Sequence, residues 1–153
     1  MSEQSHSISI DVPPTTVYGL VTDVARMASW SPEVIRCRWI RGATGPTPGA
    51  KFRGWCRNGW RTWSTVSAVT RVEEPGAFEW RVTYLGLPVA TWRYSIEPSP
   101  TGSLLTESVI DERGALLQRV SPYITGSRRR DERNQATMAA TLERIKAAAE
   151  ATG

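Results

Sequence analysis

The sequence is poor in the residue types that most often carry reaction chemistry or hold metal ions. Among 153 residues it has one histidine, His6, and two cysteines, Cys37 and Cys56. The cysteines lack the CxxC spacing of a zinc site, and a single histidine leaves little to complete one. A Ser-His-Asp site would depend on His6, near the start of the chain, where we expect fraying. We therefore expect no metal and no cofactor.

Long apolar runs are also missing. No stretch approaches the roughly 20 apolar residues that a membrane helix needs. The start, MSEQSHSISIDV, lacks the basic region followed by an apolar one that marks a secretion signal. These absences favour a cytoplasmic protein with no integral membrane association and with reduced cysteines. The stretch GATGPTPGA lacks the Gly-Lys-Ser/Thr ending of a phosphate-binding loop, and we interpret it as a flexible loop.

The net charge is +4 and the pI is about 9.5, which permits an acidic partner without requiring one. The densest basic run, Arg128 to Arg130, is followed at once by Asp131 and Glu132, as on a solvated helix face. The aromatic residues do not alternate with basic ones as in a single-strand-binding platform. We expect no nucleic acid partner, and we keep a protein or ribosome interaction module as a minor alternative. The sequence leaves open whether the protein forms a homodimer.

Period-two alternation and turn residues predict a series of short strands. The first is His6 to Val12. Six more candidates follow, separated by Gly, Pro and Asn: Val34 to Arg41, Ala50 to Arg57, Arg61 to Glu73, Ala77 to Tyr84, Val89 to Glu97 and Leu104 to Arg113. Asn58-Gly59 is the best hairpin signal. Consecutive strands joined by short turns pair antiparallel.

Helical periodicity is confined to two places. Val17, Leu20, Val21 and Val24 recur at helical spacing after Pro13-Pro14 and predict one or two short helices. From about Ser127 to Ala151 the chain has no Gly or Pro, and an apolar stripe predicts one long helix: Met138, Leu142, Ile145 and Ala149. We predict one α+β domain over 1–153, with an ordered core of about 6–150. In it a strongly curved antiparallel sheet of about seven strands wraps around the long helix.

The aromatic residues of two predicted strands fall on one side. Phe78 and Trp80 share a parity in one strand, and Trp92 and Tyr94 share it in the next. In Arg61 to Glu73 we favour the inward set that contains Trp63. In Leu104 to Arg113 hydropathy leaves both parities open. The aromatic surplus is consistent with either a lined pocket or a filled core.

Five features occur together along the sequence: VPPTTVYGLVTDVARMASWSPEV, GATGPTPGAKFRG, the aromatic series, LLTES and MAATLERIKAAAE. In these features the chain resembles the START-like, birch-pollen-allergen-like helix-grip (SRPBCC) superfamily, in its actinobacterial polyketide cyclase/dehydrase branch. It implies a ligand cavity between the sheet and the last helix, lined by Trp63, Phe78, Trp80, Trp92, Tyr94, Tyr123 and Met138. The superfamily includes cyclases, lipid and sterol carriers and hormone receptors, so the fold does not give the reaction.

Glu107 is the sharpest candidate for chemistry. With an inward parity its carboxyl lies in an aromatic cavity, where desolvation favours the neutral acid and makes it a proton donor or acceptor. The alternative is an ion pair with Arg61 or another arginine. Asn134 is a candidate hydrogen-bond partner for a ligand carbonyl. We favour binding of an apolar lipid or aromatic polyketide-like molecule. The alternative is a cyclase that uses Glu107, Arg61 and Tyr94.

Overall fold

The fold is one curved antiparallel sheet of seven strands with helices on its inner face. The computed structural model describes residues 3–126 and 130–152, so Arg128 and Arg129 of the basic run lie outside the described residues. The strand order is β1-β7-β6-β5-β4-β3-β2. The strands are β1 (Glu3–Ile10), β2 (Val34–Ile40), β3 (Lys51–Asn58), β4 (Arg61–Glu73), β5 (Ala77–Tyr84), β6 (Leu87–Ser99) and β7 (Gly102–Asp111). The predicted fold class is confirmed, and His6 lies within β1 rather than in a frayed end.

Two short helices follow β1: α1 (Pro14–Val21) and a 3₁₀ helix (Val24–Ser29). Two more follow β7: α2 (Ala115–Thr125) and the long helix α3 (Arg130–Thr152). The predicted stripe of Met138, Leu142, Ile145 and Ala149 is fully buried. Helix α3 packs against β1, α1 and β7, so it covers the apolar side of the sheet.

The sequence analysis missed helix α2. It begins after Gly114 and ends at Gly126, whose φ of 75° and N–H bond to the Pro122 carbonyl, 2.9 Å long, form the C-terminal cap. Ser121-Pro122 resembles a helix break because proline lacks the N–H of the helical ladder. In the structure Leu117 and Ser121 turn toward the sheet, and α2 contacts β4.

Burial shows which side chains face inward in β4, where the set containing Trp63 was favoured, and in β7, where both parities were open. In β4, Ser67 and Val69 are buried, and Trp63 and Thr65 lie on the same side. In β7, Leu105, Glu107 and Val109 are all buried. Phe78, Trp80 and Tyr94 are buried on the same side, and Trp92 is half-buried there. The inner face of the sheet therefore presents Trp63 and Glu107 to the helices.

The predicted β3–β4 hairpin is present, with its turn one residue further along. Asn58 pairs with Arg61, so Gly59 and Trp60 are the central residues. Gly59 has a φ of 65°, which glycine adopts without strain. Trp60, 81% exposed, stands at the tip.

The β5–β6 turn carries a leucine in an unfavourable conformation. Leu85 and Gly86 both have positive φ, 50° and 81°, as in a two-residue type I′ turn between Tyr84 and Leu87. Leu85 is also 85% exposed, so no burial offsets the strain. We expect Leu85→Asn to raise the free energy of unfolding by about 0.5–1 kcal/mol, measured by urea denaturation, because asparagine tolerates this conformation.

Leu87→Asn is the matched control, since it removes a neighbouring exposed leucine from a residue with ordinary backbone geometry. This control should not raise the free energy of unfolding. Equal stabilisation by both variants would show that replacing an exposed leucine with a polar side chain, and not relief of strain in the turn, is responsible.

Candidate functional site

A cavity of about 170 Å³ lies between the inner face of the sheet and the helices. Three tryptophans line it from neighbouring strands: Trp63 on β4, Trp80 on β5 and Trp92 on β6. The lining is mostly apolar. A cavity of about 150 Å³ is enough to hold benzene in a protein interior, so this one has room for a small ring system.

Trp80 belongs to a packed aromatic cluster that stiffens the cavity wall. Its ring centroid lies 5.2 Å from that of Phe78, 5.5 Å from that of Tyr94 and 6.2 Å from that of Phe52. These tilted arrangements are favourable for aromatic pairs. Such a wall is preformed, which lowers the entropy lost when a ligand binds.

Glu107 and Tyr94 form the buried polar part of the cavity. They are paired residues on β7 and β6, and the Tyr94 hydroxyl is hydrogen-bonded to the Glu107 carboxyl. The other carboxyl oxygen, Oε1, is buried and has no hydrogen-bond partner among the described residues. Because buried carbonyl and carboxyl oxygens are nearly always partnered, this atom is available to a ligand.

Burial raises the pKa of Glu107 to about 8, with the hydrogen bond from Tyr94 acting in the opposite direction. Burial also raises the pKa of Tyr94 well above its usual value, and the Glu107 charge and hydrogen bond add to that rise. At neutral pH the pair is therefore mostly a neutral acid beside a neutral phenol. Glu107 can then donate a proton or a hydrogen bond to a carbonyl oxygen.

The ion pair between Glu107 and Arg61, which the sequence analysis kept as an alternative, does not form. Arg61 is the first residue of β4, and its guanidinium stacks 4.3 Å from the Trp60 ring centroid. Its Nε donates to the Tyr123 carbonyl at 3.2 Å. Glu107 is three strands away in the sheet, about 14 Å at ordinary strand spacing. Arg61 does not line the cavity.

A salt bridge that the sequence analysis did not anticipate lies at one end of the cavity. Arg113 Nη2 contacts Asp111 Oδ2 at 2.7 Å, and Arg113 Nε donates to Oδ1 at 3.0 Å. Arg113 Nη1 also donates to Ser121 Oγ of α2 at 3.3 Å. The pair ties the end of β7 to α2. Asp111 has the same parity as Glu107 in the predicted strand Leu104 to Arg113, but no sequence signal pointed to Arg113.

A second polar group joins the β3–β4 turn to the junction of α2 and α3. Arg133 Nε lies 3.7 Å from the buried Glu33 carboxylate, and its Nη2 donates to Asn58 Oδ1 at 3.1 Å. Asn58 Nδ2 in turn donates to the Thr125 carbonyl at 2.7 Å. Glu33 and Thr125 also line the cavity. The sequence analysis did not single out Glu33 as a site residue, although it lies in the segment VPPTTVYGLVTDVARMASWSPEV that carries the resemblance.

The structure places the predicted ligand-binding residues in three settings: in the lining of the cavity, buried outside the lining and, for Tyr123, on the surface. Trp63, Trp80, Trp92, Tyr94 and Asn134 line the cavity. Phe78 and Met138 are fully buried but outside the lining, Phe78 against Trp80 and Met138 in the cluster of Ala90 and Val109.

Tyr123 is 77% exposed and does not line the cavity. The buried face of α2 carries Leu117, Ser121 and Thr125. Tyr123 is two residues from Ser121, about 200° around the helix, so its ring points away from the sheet. Its predicted position in the cavity was wrong for this reason.

Helix α2 covers a second, smaller cavity of about 50 Å³. Leu117 and Ile124 line it from the helix, and it shares Trp63 and Arg113 with the main cavity. The helix that the sequence analysis missed therefore forms part of the wall of the site.

The two cysteines lie on the cavity side of β2 and β3, and neither is in a disulfide. Burial raises the pKa of Cys37 to about 12, so this thiol is a poor nucleophile. Over residues 3–126 and 130–152, no group of three or more His, Cys, Asp and Glu residues is arranged to hold a metal ion. No helix within these ranges has the length and apolar character needed to cross a membrane.

Comparison with known proteins agrees with this architecture. The Polyketide_cyc-like protein Cgl2372 of Corynebacterium glutamicum is 35% identical, with a TM-score of 0.57 over 94% of this chain and 88% of that one. The di-domain ARO/CYC StfQ from the steffimycin biosynthetic pathway has a TM-score of 0.76 at 14% identity, over 98% of this chain and 51% of that one. Ara h 8.0201 has a TM-score of 0.68 at 12% identity, over 97% of both chains.

No protein of curated function is significantly similar to the chain in sequence. The family described as polyketide cyclase/dehydrase and lipid transport matches residues 1–150, which is nearly the whole sequence. The chain therefore belongs to the polyketide cyclase/dehydrase and lipid transport family, within the helix-grip superfamily that the sequence resembled.

Proposed function

We propose that the protein binds an apolar aromatic molecule of one or two rings, with a hydroxyl or carbonyl group, in the cavity of about 170 Å³. The observation that carries this proposal is the combination of three tryptophans in the lining with an unpartnered buried oxygen on Glu107. The aromatic wall supports stacking, and the polar pair supports one hydrogen bond. A sterol or a long acyl chain is too large for the cavity unless α2 moves.

The polar groups support an oxygen-bearing ligand. A neutral Glu107 can donate to a carbonyl, and its partner Tyr94 holds the carboxyl in place. Asn134 of α3 is buried and lines the same cavity, so its amide is a second hydrogen-bonding group. The family description and the source pathway of StfQ are consistent with such a ligand, since aromatic polyketides combine rings with hydroxyl and carbonyl groups.

Titration with 2-naphthol tests the proposal. We expect saturable quenching of tryptophan fluorescence with a dissociation constant in the micromolar range, which is about 8 kcal/mol of binding free energy. Trp92→Ala should weaken binding by about tenfold, because an aromatic contact contributes about 0.5–1.5 kcal/mol beyond burial.

Trp60→Ala is the matched control, since it removes an exposed tryptophan outside the cavity. It should lower the starting fluorescence and leave the affinity unchanged. The absence of saturation, or equal weakening by the two variants, would contradict the proposal.

A cyclase-type reaction is the second candidate function, and one observation favours it. Glu107 is buried, has no cationic partner among the described residues and keeps its proton near neutral pH. General acid–base catalysis depends on such a group, because its pKa is close to the working pH. Proton transfer at a carbon next to a ligand carbonyl is the step that Glu107 would perform, with Tyr94 orienting it. Arg61 has no part in this version because it lies outside the cavity.

A further inference from the structure

The outer face of the sheet, opposite the cavity, carries a cluster of cations on β2 and β3. Arg36 and Arg38 alternate along β2, and Lys51, Arg53 and Arg57 alternate along β3 with Trp55 between them. The register places Arg36 opposite Trp55 and Arg38 opposite Arg53. We call these six residues the basic face. Their neighbours Cys37, Phe52 and Gly54 point to the inner side.

The basic face has no acidic residues of its own. Strands β2 and β3 contain no Asp or Glu, and neither does the part of β4 that pairs with β3, residues 61–68. None of its five cations forms an ion pair within the part of the chain that the structure describes. Among the described residues, the Arg53 side chain donates only to Ser64 Oγ, at 3.3 Å, and the Arg57 side chain only to the Gly59 carbonyl, at 3.1 Å.

The rest of the outer face is different, because its arginines have glutamate partners. Arg71 Nη2 lies 2.8 Å from Glu73, and Arg81 Nε lies 3.4 Å from Glu112. Arg93 lies between Glu3 at 3.6 Å and Glu79 at 3.8 Å. Like charges placed directly opposite each other, as at Arg38 and Arg53, destabilise a sheet. An external anion would relieve that repulsion.

Trp55 holds two of the arginines in place. The guanidinium carbon of Arg36 lies 5.0 Å from the Trp55 ring centroid, and that of Arg38 lies 5.6 Å from it. Cation–π contact of this kind orders a guanidinium while its N–H groups stay accessible. An ordered guanidinium presents a planar set of donors that matches two oxygens of a phosphate.

We propose that the basic face binds single-stranded nucleic acid through its phosphates. Four of the five cations are arginine, which is the preferred residue for phosphate recognition. Along β3 alternate residues repeat about every 6.6 Å, so the cations form a row that an extended polyanion can follow. The face is the outside of a curled sheet, and a rigid duplex or a flat bilayer would touch it only along a narrow line. A flexible single strand can follow the curvature.

This placement corrects one part of the sequence analysis, which found no alternation of basic and aromatic residues. The alternation is present in KFRGWCRN, where Lys51, Arg53, Trp55 and Arg57 share one parity.

Fluorescence anisotropy with a labelled 12-nucleotide oligouridine tests the proposal on the full chain. We expect binding that weakens with salt, as phosphate contacts require. The double variant Arg36→Ala/Arg38→Ala should weaken oligouridine binding at least tenfold at 100 mM salt. It should also reduce the slope of log affinity against log salt by about 1.4, because each of the two lost phosphate contacts contributes about 0.7. Lys51→Ala/Arg57→Ala should reduce the slope equally, which covers the case in which the first variant folds poorly.

The control is Arg71→Ala/Arg119→Ala, which removes the same net charge from exposed positions outside the basic face. It should keep at least half of the affinity. Binding of 2-naphthol should be unchanged in every variant, because the basic face is separate from the cavity.

Three results would overturn the proposal. The first is no oligouridine binding at 50 mM salt, and the second is equal weakening of binding by the control variant. The third is tighter binding of a poly-glutamate peptide, a duplex or phosphatidylglycerol vesicles than of the oligonucleotide. The last result would assign the basic face to a different anion.

Discussion

Glu107→Gln should remove a pH dependence of stability that amounts to about 3 kcal/mol between pH 5 and pH 8. In the folded state the pKa of Glu107 is raised to about 8, from an ordinary value of 4.5. Between these values the folded protein holds a proton that the unfolded chain has lost. The free energy of unfolding therefore falls as pH rises, by up to about 1.4 kcal/mol per pH unit. The slope falls to about half of its maximum near pH 4.5 and near pH 8, and it vanishes well outside that range.

The measurement is urea unfolding of wild type and variant at pH 5 and pH 8. The glutamine has no proton to lose in this pH range. The free energy of unfolding of the variant should therefore increase relative to that of wild type as pH rises. Comparing the two differences cancels any effect of the substitution on packing. Glu97→Gln is the control, because it removes an exposed carboxyl from β6, the strand next to β7. Parallel pH curves for wild type and Glu107→Gln would mean that the carboxyl is ionised in the folded protein.

This result would also decide between the two environments that the sequence analysis allowed for Glu107. An ion pair with a buried arginine would make the glutamine variant less stable by about 3–5 kcal/mol at neutral pH, since the arginine would lose its partner. The structure has no such partner among the described residues, and the hydrogen bond comes from Tyr94 instead. The variant is therefore expected to be more stable than wild type at pH 8.

The parts of the fold that follow from local periodicity were predictable from the sequence. The stripe of Met138, Leu142, Ile145 and Ala149 is helical by spacing alone, and all four side chains are buried. Most strands were found within a few residues of their true ends because Gly, Pro and Asn mark the turns. Helix α2 was missed because Pro122 interrupts the expected pattern, while the capping by Gly126 depends on backbone geometry.

The parts of the site that depend on contacts between distant segments were not predictable. Whether Glu107 meets Arg61 or Tyr94 depends on strand order and register, because either residue can face inward on its own strand. The Asp111 and Arg113 pair joins β7 to α2, and the contact of Glu33 with Arg133 joins two segments about 100 residues apart. The pattern of charge and hydropathy along the chain does not predict these contacts.

Two substitutions in the cavity should separate ligand binding from catalysis. Ala90 lines the cavity and is buried, so the three added carbon atoms of Ala90→Leu would fill much of the 170 Å³. We expect this variant to lose binding of 2-naphthol by at least a hundredfold. Its stability should be equal to or above that of wild type, because filling an apolar cavity adds contacts. Loss of binding together with loss of stability would indicate overpacking.

Glu107→Gln should have the opposite profile if the protein is an enzyme. It preserves the size of the side chain and a hydrogen-bond donor, so 2-naphthol affinity should stay within about threefold of wild type. Deuterium incorporation next to the ketone of an aromatic β-keto thioester should be faster with wild type than in buffer, and about 10²–10⁴-fold slower in the variant, the usual contribution of a general acid–base group. Ala90→Leu should abolish the same exchange because the substrate cannot enter. Wild type that binds 2-naphthol without accelerating exchange would refute the cyclase-type function and leave the binding function standing, with Glu107 as the hydrogen-bond donor that orients the ligand.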